Sequence, residues 1–158
     1  MKTFLLLLLC CTASLLNAQR PKTTEENFQK ILALVESKEF RIDLRIATPL
    51  NGTNINIDSA YITVKDTLAA GYMPYYSAHY SFPMTGKKGI NFDNVILNPS
   101  LRVKGKKNRK TIKFQFDIIG KNDSYKLQMD IQDDKTCYLF VTSLKRSPIS
   151  YIGTLRKL

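Results

Sequence analysis

The 158-residue sequence has no tryptophan, a single histidine, three cysteines and only seven glycines. One histidine excludes a multi-histidine metal centre, and three cysteines fall short of a disulfide scaffold. Motifs that cradle phosphates, bind dinucleotides or hold zinc are absent, as is the G-x-S-x-G turn of α/β-hydrolases. No cofactor and no metal is expected. Acidic residues are scarce too: 13 Asp plus Glu face 24 Lys plus Arg, a formal net charge of +11. The apolar fraction is still 44% and the charged fraction 23%, which excludes a disordered or collagen-like chain. The length suits one domain.

What is present begins with an address. Lys2 is the only charge before Arg20, and between them runs Phe4-Leu5-Leu6-Leu7-Leu8-Leu9-Cys10-Cys11, followed by a softer stretch to Ala18. A basic start, a short apolar core and a small residue before a polar continuation describe a secretory signal peptide over residues 1–18. A membrane anchor needs about 20 apolar residues, and this run is shorter and broken by Asn17. A lipoprotein signal needs a small residue before its cysteine, whereas Leu9 precedes Cys10 and Cys10 precedes Cys11. Export to the periplasm or cell surface is the expectation, with residues 19–158 as a single β-rich domain. Nucleic acid is then an unsuitable partner.

Thr23 followed by Glu26 reads as a capping box. Phe28, Ile31, Leu32 and Val35 recur at helical period, which predicts a helix over about residues 24–37. The period then falls to two. Phe40, Ile42, Leu44 and Ile46 alternate with polar residues, as do Ile112, Phe114, Phe116 and Ile118, then Tyr125, Leu127, Met129 and Ile131. Pro49 to Gly52, Lys65-Asp66, Gly120 to Asp123 and Asp133 to Lys135 carry turn chemistry. Cys137 to Val141 is apolar on both parities and reads as a central strand covered on both faces. The fold expected is mainly β (α+β): an N-terminal helix, then an antiparallel sandwich or barrel-like sheet of about eight to ten strands.

The stretch AYITVKDTLAAGYMPYYSAHYSFP from Ala60, the GINF element at Gly89–Phe92 and ISYIGTL from Ile149 resemble the secreted Bacteroidetes proteins of domain-of-unknown-function family 4251. In that family's leucine-proline-tyrosine motif Met73 replaces the leucine before Pro74 and Tyr75, and its glycine-rich loop shrinks to Gly86-Lys87-Lys88-Gly89. The resemblance implies an export signal, a helix and a β-rich fold, and brings no activity, cofactor or catalytic residue. Asp58-Ser59-Ala60 and Asp66-Thr67-Leu68 resemble the O-glycosylation motif of secreted Bacteroidetes proteins.

Three residue groups are candidates for function. Tyr75, Tyr76 and Tyr80 offer ring faces and hydroxyls to a small or glycan-like ligand, or else cover one end of the sheet. His79 is the one possible general base, with Ser77 and Ser81 at two-residue spacing, but a hydrolase also needs an orienting group and an oxyanion hole. Cys137 lies in an apolar strand, where a thiol behaves as a small inert hydrophobe. Asp130, Asp133 and Asp134 lack calcium-loop spacing. The strongest charge signal runs from Arg102 to Lys110, six cations in nine residues with no acid among them. Lys104, Lys106, Lys107, Arg109 and Lys110 suit an anionic membrane surface or polysaccharide, or a solvated loop that resists edge pairing. The function expected is a non-catalytic binding domain of the bacterial cell envelope. The alternatives are a purely structural or protein-interaction domain and, third, a hydrolase using His79.

The processed chain is expected to start at Gln19 and to carry no lipid, as intact mass and N-terminal sequencing will report. A diacylglycerol adduct on Cys10 or Cys11 would overturn that.

Overall fold

The structure, a computed structural model, describes residues 22–77, 89–106, 109–121 and 123–158. The leader at 1–18, Gln19, Gly86 to Lys88 and the side chain of Thr23 lie outside the described part. Helix α1 spans Lys22–Glu36, so Thr23 falls in its first turn rather than at its cap. Phe28, Ile31 and Val35 are buried along one stripe, and the opposite face carries the exposed Glu26–Lys30 pair at 2.6 Å. The helix stops where Lys38 turns left-handed (φ 54°), and the Lys38 carbonyl then accepts the Asp66 amide at 2.9 Å.

Among the described residues nine strands follow: β1 Glu39–Pro49, β2 Ile55–Lys65, β3 Leu68–Met73, β4 Ile90–Val95, β5 Leu97–Lys106, β6 Arg109–Ile119, β7 Ser124–Ile131, β8 Thr136–Ser143 and β9 Ile149–Lys157. They form one sheet in the order β4-β3-β2-β1-β9-β8-β7-β6-β5, and every neighbouring pair is antiparallel. A sandwich is thereby set aside in favour of the curled sheet. Most links are short turns rich in the residues that favour them, as where Asp66 adopts positive φ and where Asp133 and Asp134 precede Lys135.

The sheet curls because its two edge strands are consecutive in the chain. Only Ile96 separates β4 from β5, and alternation across the nine strands makes the two run in the same direction. They act as one bent strand whose first half pairs with β3 and whose second half pairs with β6. One residue advances a strand by only about 3.4 Å, so the edges must meet there. Three contacts fix the meeting: Asn94 Nδ2 donates to the Ile119 carbonyl at 3.1 Å, Ile96 N donates to the Thr67 carbonyl at 2.8 Å, and the Phe92 and Tyr125 rings lie 6.5 Å apart. The bend is completed by Asn98 at φ 50° and a register shift between Leu97 and Ser100. The result is a half-barrel.

Its concave face is filled. Phe40, Ile62, Phe116, Leu127 and Tyr151 are among the fully buried side chains, Phe40 meets Phe114 edge-on at 6.0 Å, and the α1 stripe joins the same cluster. The basic segment also differs from a loop. The β5–β6 ladder continues through Val103↔Ile112, Lys104↔Thr111 and Lys106↔Arg109, because Leu101 and Val103 keep the strand alternation going between the cations.

Gly153 marks the tightest backbone approach. It opposes Leu44 at the β1 bulge, and a Cβ there would sit 2.5 Å from the Asp43 carbonyl oxygen and 3.0 Å from Leu44 Cα. Backbone cannot yield as a side-chain tip does. Gly153→Ala is therefore expected to cost about 1–3 kcal/mol by strain, read as a lower denaturation midpoint; an unchanged midpoint would contradict this packing.

Candidate functional site

The tyrosine segment closes one end of the half-barrel. Strand β3 ends at Met73, so strict alternation ends too, and Tyr75 and Tyr76 are both buried. This differs from the opposite faces expected of an extended segment. Tyr75 OH donates to the Ser147 carbonyl at 3.1 Å and Tyr151 OH donates to the Pro74 carbonyl at 2.8 Å. Burial raises the ionisation of Tyr76 and Tyr151 above the usual phenol range, so both stay neutral. Beside them the Asp123 carboxylate accepts Ser143 Oγ at 2.7 Å and the Ser124 amide at 2.8 Å. Arg146 Nε lies 3.9 Å from that carboxylate, and its guanidinium sits 5.1 Å above the Tyr75 ring. These phenols tie the chain after β3 to the strands across the end. Tyr80 and His79 lie outside the described residues.

The outer face of β6 to β9 is different. Cys137, Leu139 and Val141 point inward and are buried, while Tyr138 and Phe140 point outward and remain 47% and 40% exposed. Strand β8 is central in the sheet but covered on one face only, which corrects the expectation of two covered faces. Among the described residues no second layer packs on the outer side, since α1 joins the inner cluster. Registers set out two rows across this face. One reads Arg102, Lys113, Asp130, Tyr138, Ile152; the other reads Ser100, Gln115, Gln128, Phe140, Ser150. Where the rows cross β6 to β9 they line a concavity of about 370 Å³. Lys113 Nζ binds the Asp130 carboxylate at 2.5 Å, so the middle of the face is close to neutral.

Its rim at β5 is cationic. Arg102, Lys104 and Lys106 are exposed, alternate along the strand, and by register share the face of Lys113. None has an acidic partner among the described residues. Lys110, by contrast, donates to both Glu25 oxygens at 2.7 and 2.9 Å and holds that carboxyl below its usual range. Lys107 and the Arg109 side chain lie outside the described part. Of the five cations expected at this site, the structure thus places Lys104 and Lys106 on an open edge and Lys110 in an ion pair.

Sequence reasoning missed Tyr138, Phe140, Gln115 and Gln128. A signal was available: the outward parity of the neighbouring strand, Lys126-x-Gln128-x-Asp130, is polar, and an outward face open on one strand is open on the next. Ser59 and Thr67 are both exposed, Ser59 at φ 59° beside the β1 bulge.

Comparison with known proteins adds the family and the fold. The sequence model of a family described as "Domain of unknown function (DUF4251)" matches residues 22–155. The fold is similar to a crystal structure of a DUF4251 family protein from Bacteroides eggerthii DSM 20697, with a TM-score of 0.63 and 13% identity over 83% of this chain and 87% of that one. At that identity the likeness concerns the fold alone. No curated protein matches the chain.

Cys137 is fully buried, and desolvation raises its thiol far above the usual range. Peptide mapping after iodoacetamide treatment at pH 8 is expected to find Cys137 unmodified in native protein and alkylated in denaturant. Rapid native labelling would contradict the burial.

Proposed function

Since this chain belongs to the DUF4251 family, for which no activity is described, we propose from its own surface that it is an exported, non-catalytic binding domain of the cell envelope that holds polyanions along strand β5. Export rests on the leader pattern of residues 1–18. The observation that carries the reading is the contrast among cations. Among the described residues Lys30, Arg41, Lys110, Lys113, Arg146 and Arg156 each have an acidic partner, cations without one such as Arg45, Lys65 and Lys126 are scattered over separate strands, and Arg102, Lys104 and Lys106 stand together on one strand face without one. Residues two apart along a strand are about 7 Å from each other, close to the Debye length of about 8 Å at 0.15 M salt, so their fields overlap. Lysines on an edge also block strand pairing, a role that needs no ligand.

Inorganic polyphosphate separates the two roles because it offers charge and nothing else. The chain is expected to bind it at low salt and to release it as salt rises. A cation at an anionic surface contributes about 1 kcal/mol, so R102Q/K104Q/K106Q together are expected to weaken binding by roughly a hundredfold. Equal binding by the wild type and the triple variant would leave only edge protection.

A further inference from the structure

The cationic edge and the exposed rings belong to the same two rows of side chains, and this adjacency constrains the ligand. A polyanion held by charge alone has no use for Tyr138 and Phe140. Two aromatic side chains left 47% and 40% exposed at the centre of a sheet forgo burial that the inner face gives Cys137, Leu139 and Val141 of the same strand. They stand two apart on β8, so their Cα atoms lie about 7 Å from each other along the strand. Phe140 is flanked by Gln128 on β7 and Ser150 on β9, and Tyr138 by Asp130 and Ile152. Ring faces for C–H surfaces, with amide, hydroxyl and carboxylate groups at their edges, are the complement of a pyranose, which is apolar on its faces and hydroxylated at its rim. The step from Tyr138 to Arg102 crosses three strand intervals, about 14 Å, which suits a short oligosaccharide rather than a single sugar.

We propose that the outer face of β5 to β9 is a binding site for an acidic glycan, with sugar rings seated on Tyr138 and Phe140 and carboxylates reaching Arg102 and Lys104. The proposal rests on the polyanion reading and narrows it. A flat lipid surface fits less well, because the rings line a concavity of about 370 Å³ rather than a protruding ridge. A peptide strand has no place to add at the rings, since β8 has both of its edges paired, and at β5 the edge cations oppose strand pairing.

The test uses uronate-bearing oligosaccharides (galacturonate, glucuronate and mannuronate oligomers), their methyl-esterified forms, inorganic polyphosphate, and phosphatidylglycerol vesicles, measured by calorimetry or co-sedimentation. Wild-type protein is expected to bind at least one uronate oligomer, and its methyl ester more weakly. Replacing both rings, Y138A/F140A, is expected to weaken the oligomer about tenfold or more while polyphosphate binding stays within about twofold. Gln128→Ala, which leaves the rings in place, is expected to weaken the oligomer alone. The fold of each variant is checked by its denaturation midpoint. Polyphosphate binding with no uronate oligomer bound overturns the glycan site and leaves the polyanion reading standing. Loss of both ligands in Y138A/F140A at an unchanged midpoint also overturns it, as does ring-dependent binding to vesicles with none to the oligomers. Absence of polyphosphate and oligomer binding alike overturns both.

Discussion

Ile96 is the constraint on which the molecule turns. It is the single residue between the two edge strands of a nine-stranded sheet, so those edges cannot part by more than one residue's reach. A flat sheet of this width would hold its edges roughly 38 Å apart, at about 4.8 Å per strand step. Curling is therefore imposed by connectivity, and the usual strand twist supplies its direction. The Asn94 bond to the Ile119 carbonyl, the Phe92–Tyr125 contact and the bend at Asn98 all serve the place where the edges meet.

Once the sheet is curled, its two faces have different fates. The concave side, together with the α1 stripe, is a small volume that nine strands fill with Phe, Ile, Leu and Met, and in the described part it holds a packed core. Polar chemistry that enters this region is consumed by structure: the Tyr75, Tyr151 and Asp123 groups all have partners. The convex side has no second layer among the described residues. On that side the chemistry facing solvent comes from the outward parity of the strands, where Gln115, Gln128, Tyr138 and Phe140 lie.

How much of this was legible depended on the range of the interaction. The helix showed because Phe28, Ile31 and Val35 carry their own period, and β1, β6 and β7 showed because their alternation is local. The turns at Asp66 and Lys135 announced themselves by residue type. Closure showed only as one of two alternatives, a sandwich or a barrel-like sheet, since the choice needs the β1–β9 pairing between residues about a hundred positions or more apart. The open face of β8 was misread because an apolar residue on both parities looks the same whether the outer side is covered or bare. At β5 the sequence supports a strand to about Val103 and a hairpin turn after it, whereas the ladder continues through the cations to Lys106↔Arg109. Tyr75 and Tyr76 were recognised as a unit, but their burial follows from the end of β3 at Met73, which no periodicity marks.

The placement of charge follows from the same geometry. Asp43 serves two arginines, Arg41 at 2.6 Å and Arg156 at 2.9 Å, and Asp130 serves Lys113 one strand away. These carboxylates sit on interior strands, where each has neighbours on both sides and can neutralise cations across the ladder. Strand β5 carries no acid of its own and has a ladder partner on one side only, so its cations have half as many neighbours to answer them. In a chain with 24 basic and 13 acidic residues some cations go without an acid, and at this edge three of them, Arg102, Lys104 and Lys106, stand on one face. That edge is joined in register to the exposed rings of β8 through β6 and β7. A neutral aromatic floor and a positive rim are therefore brought together by strand order alone, although Arg102 and Tyr138 are 36 positions apart in the chain.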